Sequence, residues 1–258
     1  MSTFLFDTII FGPVWSRRLG ESLGINLLPA GLKVCNFNCV YCECGLTPLA
    51  GKSNAFPDAD EVRISLEKKL TEMKAHGEYL DCITFAGNGE PTLHPEFPRI
   101  ISETIEIRNR LLPDVKIAVL SNATLIAQPH IQKALLDVDL NILKLDSAIP
   151  ETLEAINCPR GSYYLDNIKA ALRSFSGKLL IQTLFFKGAC NGINVDNTTE
   201  NEINAWLAVL EEVKPQTVMI YSLARDTAVN GLNAATPEEL GHIADRVRNL
   251  GIETLVTP

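Results

Sequence analysis

Four cysteines crowd the stretch KVCNFNCVYCECG (33–45): Cys35, Cys39, Cys42 and Cys44. Three chemistries use thiols at such density: a disulfide knot, a zinc site and an iron–sulfur cluster. A chain of 258 residues buries enough core to need no covalent staples. The opening MSTFLFDTIIFGPV has no basic n-region, and Asp7, Gly12 and Pro13 break its apolar run, so no signal peptide is expected. No apolar run approaches the roughly 20 residues of a membrane span. The expected compartment is the reducing cytoplasm, where clustered thiols serve metals rather than disulfides. Zinc ligands usually come as two separated pairs, and no second pair accompanies this loop, although Cys44 offers a fourth thiolate. The spacing Cys35-x3-Cys39-x2-Cys42 suits three irons of a [4Fe–4S] cube. The fourth iron then lacks a protein ligand, and an open position is what catalytic metal sites keep.

The elements that must position this loop are legible as an alternation. DCITFAG, VKIAVLSN, LNILKLDS, KLLIQTLFF and QTVMIYS read as strands, with LGINLLPAGLKV (23–34) as an extended lead-in and IETLVTP as a final short strand. Helical patterns lie between them. Val62, Leu66, Leu70 and Met73 recur at helical spacing in EVRISLEKKLTEMKAHG. PEFPRIISETIEIRNRLL is helical after Pro98, QPHIQKALLD is a helix, and helical pieces cover 150–157 and 164–175. Thr199 and Glu202 fit a capping box ahead of the stripe Ile203, Trp206, Leu207, Leu210, Val213, which Pro215 ends. Thr236, Pro237 and Glu239 start the stripe Leu240, Ile243, Val247, Leu250, and Gly251 stops it. The strands are near-continuous apolar runs, as in parallel strands covered by helices. About six β-then-α units make a partial (β/α)6 barrel open on one side, where eight would close it. The fold class is α/β, with one domain over 1–258: an N-terminal arm (1–22) and the barrel (23–258).

The C-x3-C-x2-C loop after the first barrel strand, with Tyr41 just before Cys42, resembles the radical S-adenosylmethionine (SAM) superfamily. The resemblance implies a [4Fe–4S] cluster on Cys35, Cys39 and Cys42 whose open iron chelates the methionine end of SAM. An electron from the cluster then cleaves SAM to a 5′-deoxyadenosyl radical, which abstracts hydrogen from a substrate. It also implies an external electron donor of the flavodoxin or ferredoxin type. FAGNGEPT (85–92) looks like a variant of the family's Gly-Gly-Glu motif, with Asn88, Gly89 and Glu90 in its places. Its plain reading is a tight turn before a helix.

Other polar residues end strands at the rim where barrel active sites lie. Ser121 and Asn122 are cofactor contacts by the resemblance, or local caps of the next helix. Lys144 and Asp146 lie two apart and share a side of their strand, as a salt bridge or as cofactor and substrate contacts. Gln182 is a satisfied core amide or reaches the ribose. Tyr221, Ser222, Arg225 and Asp226 are expected at the substrate, or form a surface loop with an Arg–Asp pair. Arg17 and Arg18, ahead of the first strand, suit a carboxylate or phosphate.

This opening, with CNFNCVYCECG, GNGEPT and YSLARD, is similar to the branch related to the archaeal wyosine-forming tRNA enzymes. Those carry further cysteines upstream of the loop for a second cluster, and none precedes Cys35 here. Lys+Arg 23 against Asp+Glu 31, a net charge of −8, argues against a nucleic-acid partner. A glycyl-radical activase and a non-catalytic metal-binding module are the other readings. Cys44 is expected as a bystander and Cys82 as core, while Cys158 and Cys190 stand in late loops. No histidine is assigned a catalytic role; His94, beside Glu90, is the best placed.

Overall fold

The computed structural model describes residues 4–48, 55–161, 163–190, 192–225 and 227–257. The N-terminal arm pairs with the start of the barrel. Its β1 (Ile10–Ser16) runs antiparallel to β2 (Gly20–Ile25), pairing Ser16 with Gly20 and Ile10 with Ile25. Thereafter strands and helices alternate: α1 (Ala59–His76), β3 (Cys82–Phe85), α2 (Phe97–Leu111), β4 (Lys116–Ser121), α3 (Pro129–Asp137), β5 (Leu140–Lys144), α4 (Pro150–Asn157) and α5 (Leu165–Ser174). Next come β6 (Leu180–Cys190), β7 (Ile193–Asn194), α6 (Glu200–Val213), β8 (Thr217–Ser222), β9 (Leu232–Ala234), α7 (Pro237–Asn249) and β10 (Glu253–Thr257).

The sheet runs β1-β2-β3-β4-β5-β6-β8-β10, parallel from β2 onward, with β7 and β9 antiparallel on the overhang of β6. Its ends are β1 and β10, so the barrel is open, as the β-then-α count predicts. The final short strand is β10, paired with β8. The extended lead-in leaves the sheet at Ile25, earlier than its apolar run suggests. There the Asn26 amide bonds across to Leu28 at both its N–H (3.3 Å) and its carbonyl (2.9 Å), turning the chain out of the sheet.

Alternation along the strands sorts side chains into two layers. Ile83, Val119, Leu143, Ile181, Phe185 and Ile220 face the helices in the main core. Cys82, Ala118, Ile142, Leu180 and Met219 face inward and fill the N-terminal end of the barrel. Cys82 is therefore core, as expected. The C-terminal end is left to polar side chains.

Capping fixes where helices begin. Asp58 and Glu61 form a full capping box on α1, and Thr236 and Glu239 do so on α7. On α6 half of the expected box forms. Thr199 accepts from the Glu202 N–H, but the Glu202 carboxylate turns away to accept from Ser147 Oγ at 2.6 Å. Among the described residues, no helix is long and apolar enough to cross a membrane.

Candidate functional site

The cysteine loop is clamped from two sides. On one side Val34 donates to Asn88 O (2.8 Å), and Glu90 N–H donates to Val34 O (3.1 Å). This close approach explains the glycine at 89: φ is +140°, and a Cβ would lie 2.0 Å from Val34 O. On the other side Asn38 and Val40 donate to Asn157 O and Ile156 O (both 2.9 Å), so the end of α4 carries the loop.

Asn157, which the sequence reading passed over, ties this side together. Its Nδ2 donates to Cys39 Sγ (3.3 Å), to Tyr41 Oη (3.2 Å) and to Asp146 Oδ2 (2.8 Å). Its signal was slight: an Asn in the last turn of a helix, before a cysteine that takes left-handed backbone, φ +42°.

Cys35, Cys39, Cys42 and Cys44 line one cavity of about 260 Å³ at the C-terminal rim, with Tyr41, Gly89, Glu90, Ser121, Asn122, Lys144, Gln182, Tyr221 and Arg18. Nearly all of the residues picked out from the sequence thus meet. Asn88, Asp146, Arg17 and Arg225 do not line it. Asn88 is fully buried, and its side chain exchanges hydrogen bonds with the Phe6 backbone and donates to Pro29 O. Asp146 lies beneath the wall, accepting from Tyr41 Oη, Asn157, Leu184 N–H (3.1 Å) and Lys144 Nζ (3.5 Å). The salt-bridge alternative for Lys144 and Asp146 is therefore realised.

Glu90 is 2 % exposed and accepts from Thr92 N–H and Oγ1, Ser121 Oγ and Asn122 N–H at 2.6–3.1 Å. Burial raises its pKa, and these bonds work against the rise. Ser121 and Asn122 also make local turns, accepting from Ala123 N–H and Thr124 N–H, but they do not cap the next helix, which starts at Pro129 behind Gln128. Asn122 Nδ2 lies 3.6 Å from Cys35 Sγ.

Burial pushes the Cys35 thiol up to about 12, with Glu90 adding to it, and Cys39 up to about 11. A hydrogen bond with Cys44 holds Cys42 down at about 5, helped by Lys33, and pushes Cys44 up. Burial works against the Lys144 charge, but Asp146 and Tyr221 outweigh it and hold the ammonium above its usual range.

Opposite the thiols, Arg18 Nη1 donates to Gln182 Oε1 (2.9 Å), and its guanidinium lies 4.3 Å from the Tyr221 ring centroid. The Tyr221 hydroxyl accepts from Lys144 (3.2 Å). Arg17, Arg18, Tyr221 and Arg225 line an adjoining pocket of about 90 Å³. Arg225 pairs with Glu43 (2.7 Å); Asp226, its expected partner, lies outside the described residues.

Cys158 and Cys190 both border the small apolar cluster around Phe37 and Tyr41. His94 is buried; its Nε2 lies 2.7 Å from Pro57 O, and Nδ1 accepts from Glu96 N–H. That arrangement is structural. Among the described residues, no three His, Cys, Asp or Glu side chains converge as the ligands of a single metal ion would. In a cube each cysteine binds a different iron, so the donor set on this wall fits a cluster better than a closed zinc tetrahedron.

Several protein relatives span most of this chain, two of them as follows. A protein named GTPase Obg from Brachyspira hyodysenteriae is 30% identical over 90% of this chain, which covers 32% of that protein. A UPF0026 protein of Helicobacter pylori is 28% identical, with 96% of this chain and 82% of that protein covered. Among solved structures, a radical SAM methyltransferase from Sphaerobacter thermophilus superposes with TM-score 0.67 at 16% identity, over 92% of this chain and 65% of that one. TYW1 with a lysine–pyruvate adduct bound gives 0.62 at 15%, over 88% and 73%. At these identities the structures establish the fold. Residues 32–189 match the Radical SAM superfamily, whose members use a [4Fe–4S] cluster and SAM. By that match, which takes in the thiol loop and the ends of β3, β4 and β5 at the cavity, the chain belongs to the radical SAM superfamily of enzymes.

Proposed function

We propose that Cys35, Cys39 and Cys42 hold the [4Fe–4S] cluster and that SAM binds in the same cavity, beside a small anionic substrate. When bound, the two cofactors supply reductive cleavage of SAM to a 5′-deoxyadenosyl radical that removes a hydrogen atom from the substrate. The backbone at Gly89 and the side chains of Asn122 and Gln182 contact SAM. Tyr41, Asn88, Glu90, Ser121 and Asp146 keep those contacts in place. Lys144, Arg18 and Tyr221 hold the substrate's negative group, with Arg17 and Arg225 at the mouth. An external flavodoxin- or ferredoxin-type protein delivers the electron.

One observation carries this reading: thiols, glycine-bearing backbone and cations line a single cavity at the barrel rim. The cations gather at one side of that cavity and in the adjoining pocket of about 90 Å³. A net charge of −8 further favours a small acid over a nucleic-acid backbone.

The test is anaerobic reconstitution with iron and sulfide, then dithionite and SAM. Release of 5′-deoxyadenosine is expected. A fully loaded protein that releases none contradicts the proposal.

A further inference from the structure

Cys44 is the thiol that a three-cysteine cluster leaves over, yet it lines the same cavity as the other three. The backbone turns it there. Gly45 N–H donates to Cys42 O (3.0 Å) and closes a tight turn, with Gly45 at φ +75°. The buried Lys33 ammonium then grips Gly45 O at 2.6 Å. Cys42 and Cys44 face inward across this turn, while Glu43 between them points out to Arg225. The Cys44 thiol donates to Gly87 O (3.4 Å), in the strand-end segment that also carries Gly89. A bystander would be packed in apolar core; Cys44 instead faces the cavity that the other three thiols line.

We propose that Cys44 is an exchangeable fourth thiolate of the cluster, bound to the otherwise open iron in the absence of SAM and displaced when SAM binds. The proposal rests on the reading that cluster and SAM share this cavity. Thiolate is the usual cluster ligand, so a fourth one closes the cube. The exchange involves no electron transfer. The Fe–S bond to Cys44 breaks and its sulfur takes up a proton. The SAM ammonium gives one up as its nitrogen replaces that sulfur on iron. The released thiol has an acceptor in place, the Gly87 carbonyl. Cys44 thereby keeps iron in the cluster between turnovers, when an open corner would lose it on oxidation.

The test compares wild type, Cys44→Ala and, as control, Cys158→Ala, all full-length and loaded to equal iron content. Each is oxidised with ferricyanide without SAM, and the [3Fe–4S] signal is read by electron paramagnetic resonance. A much larger signal from Cys44→Ala alone is expected. Binding of SAM, followed by its effect on the reduced cluster's spectrum, gives a second readout. If Cys44 holds the iron about 90% of the time, SAM binds about tenfold more tightly to Cys44→Ala. Equal [3Fe–4S] yields and equal SAM affinity in wild type and Cys44→Ala overturn the proposal while leaving the three-cysteine cluster standing. A cluster that survives Cys39→Ala unchanged overturns the reading beneath it as well.

Discussion

The wall of the cavity at Glu90 and the wall at Lys144 meet their charges differently. Glu90 is answered by four donors, from Thr92, Ser121 and Asn122, and nothing is left over. Across the cavity, Lys144 shares the carboxylate of Asp146 with Tyr41, Asn157 and Leu184. The partners of Arg18 named above, the Gln182 oxygen and the Tyr221 ring, are both neutral. A satisfied wall acts as a rigid scaffold, whereas a wall with surplus cation is prepared for an anion.

The comparison breaks most severely at Asp146. Asp146→Ala strands the Lys144 ammonium in a buried site and is expected to cost about 3–5 kcal/mol, read by denaturant unfolding. Its loss also frees Tyr41 and Asn157, so cluster loading falls with stability. On the satisfied wall, Glu90→Gln replaces an acceptor with a donor facing donors. About 1–3 kcal/mol is expected from this buried mismatch, by the same measurement. Arg18→Gln sharpens the contrast. It removes a cation–π contact of roughly 0.5–1 kcal/mol, so stability changes little. Cluster absorption and SAM cleavage persist, and coupling of cleavage to substrate is lost. Arg225→Ala breaks an exposed ion pair and leaves unfolding unchanged within error.

Acidification supplies a further comparison, at His94. Burial lowers its pKa below the ordinary value, so the fold holds it neutral. The unfolded chain takes up its proton first as pH falls through about 6.5. Its contribution is therefore present above that pH and lost on acidification below it. In His94→Gln this part of the pH dependence of unfolding should vanish.

What was legible in the sequence was local. The spacing of Cys35, Cys39 and Cys42 states a ligand set within a few residues, and the stripes of α1, α6 and α7 state buried faces, except that Leu250 is exposed just past the end of α7. The β1 strand was not legible, because as a sheet edge interrupted by Gly12-Pro13 it shows no clean alternation. Leu27 and Leu28 read as part of an extended lead-in but are buried in a loop beyond β2, since burial and extension leave the same apolar trace. Asn157 reaches Cys39 across 118 positions, and Glu202 abandons half its cap for Ser147. Such pairings are tertiary, and no local pattern announces them. Chemistry-bearing residue types were recognisable at Asn88 and Asp146, but whether a side chain lines a cavity or braces its wall is decided by packing alone.

The most direct test of the account is Mössbauer and visible spectroscopy on the anaerobically loaded chain beside Cys39→Ala. The account predicts a [4Fe–4S] cluster in the first, perturbed by added SAM, and its loss in the second. A mononuclear metal, or a cluster indifferent both to SAM and to removal of Cys39, would contradict it.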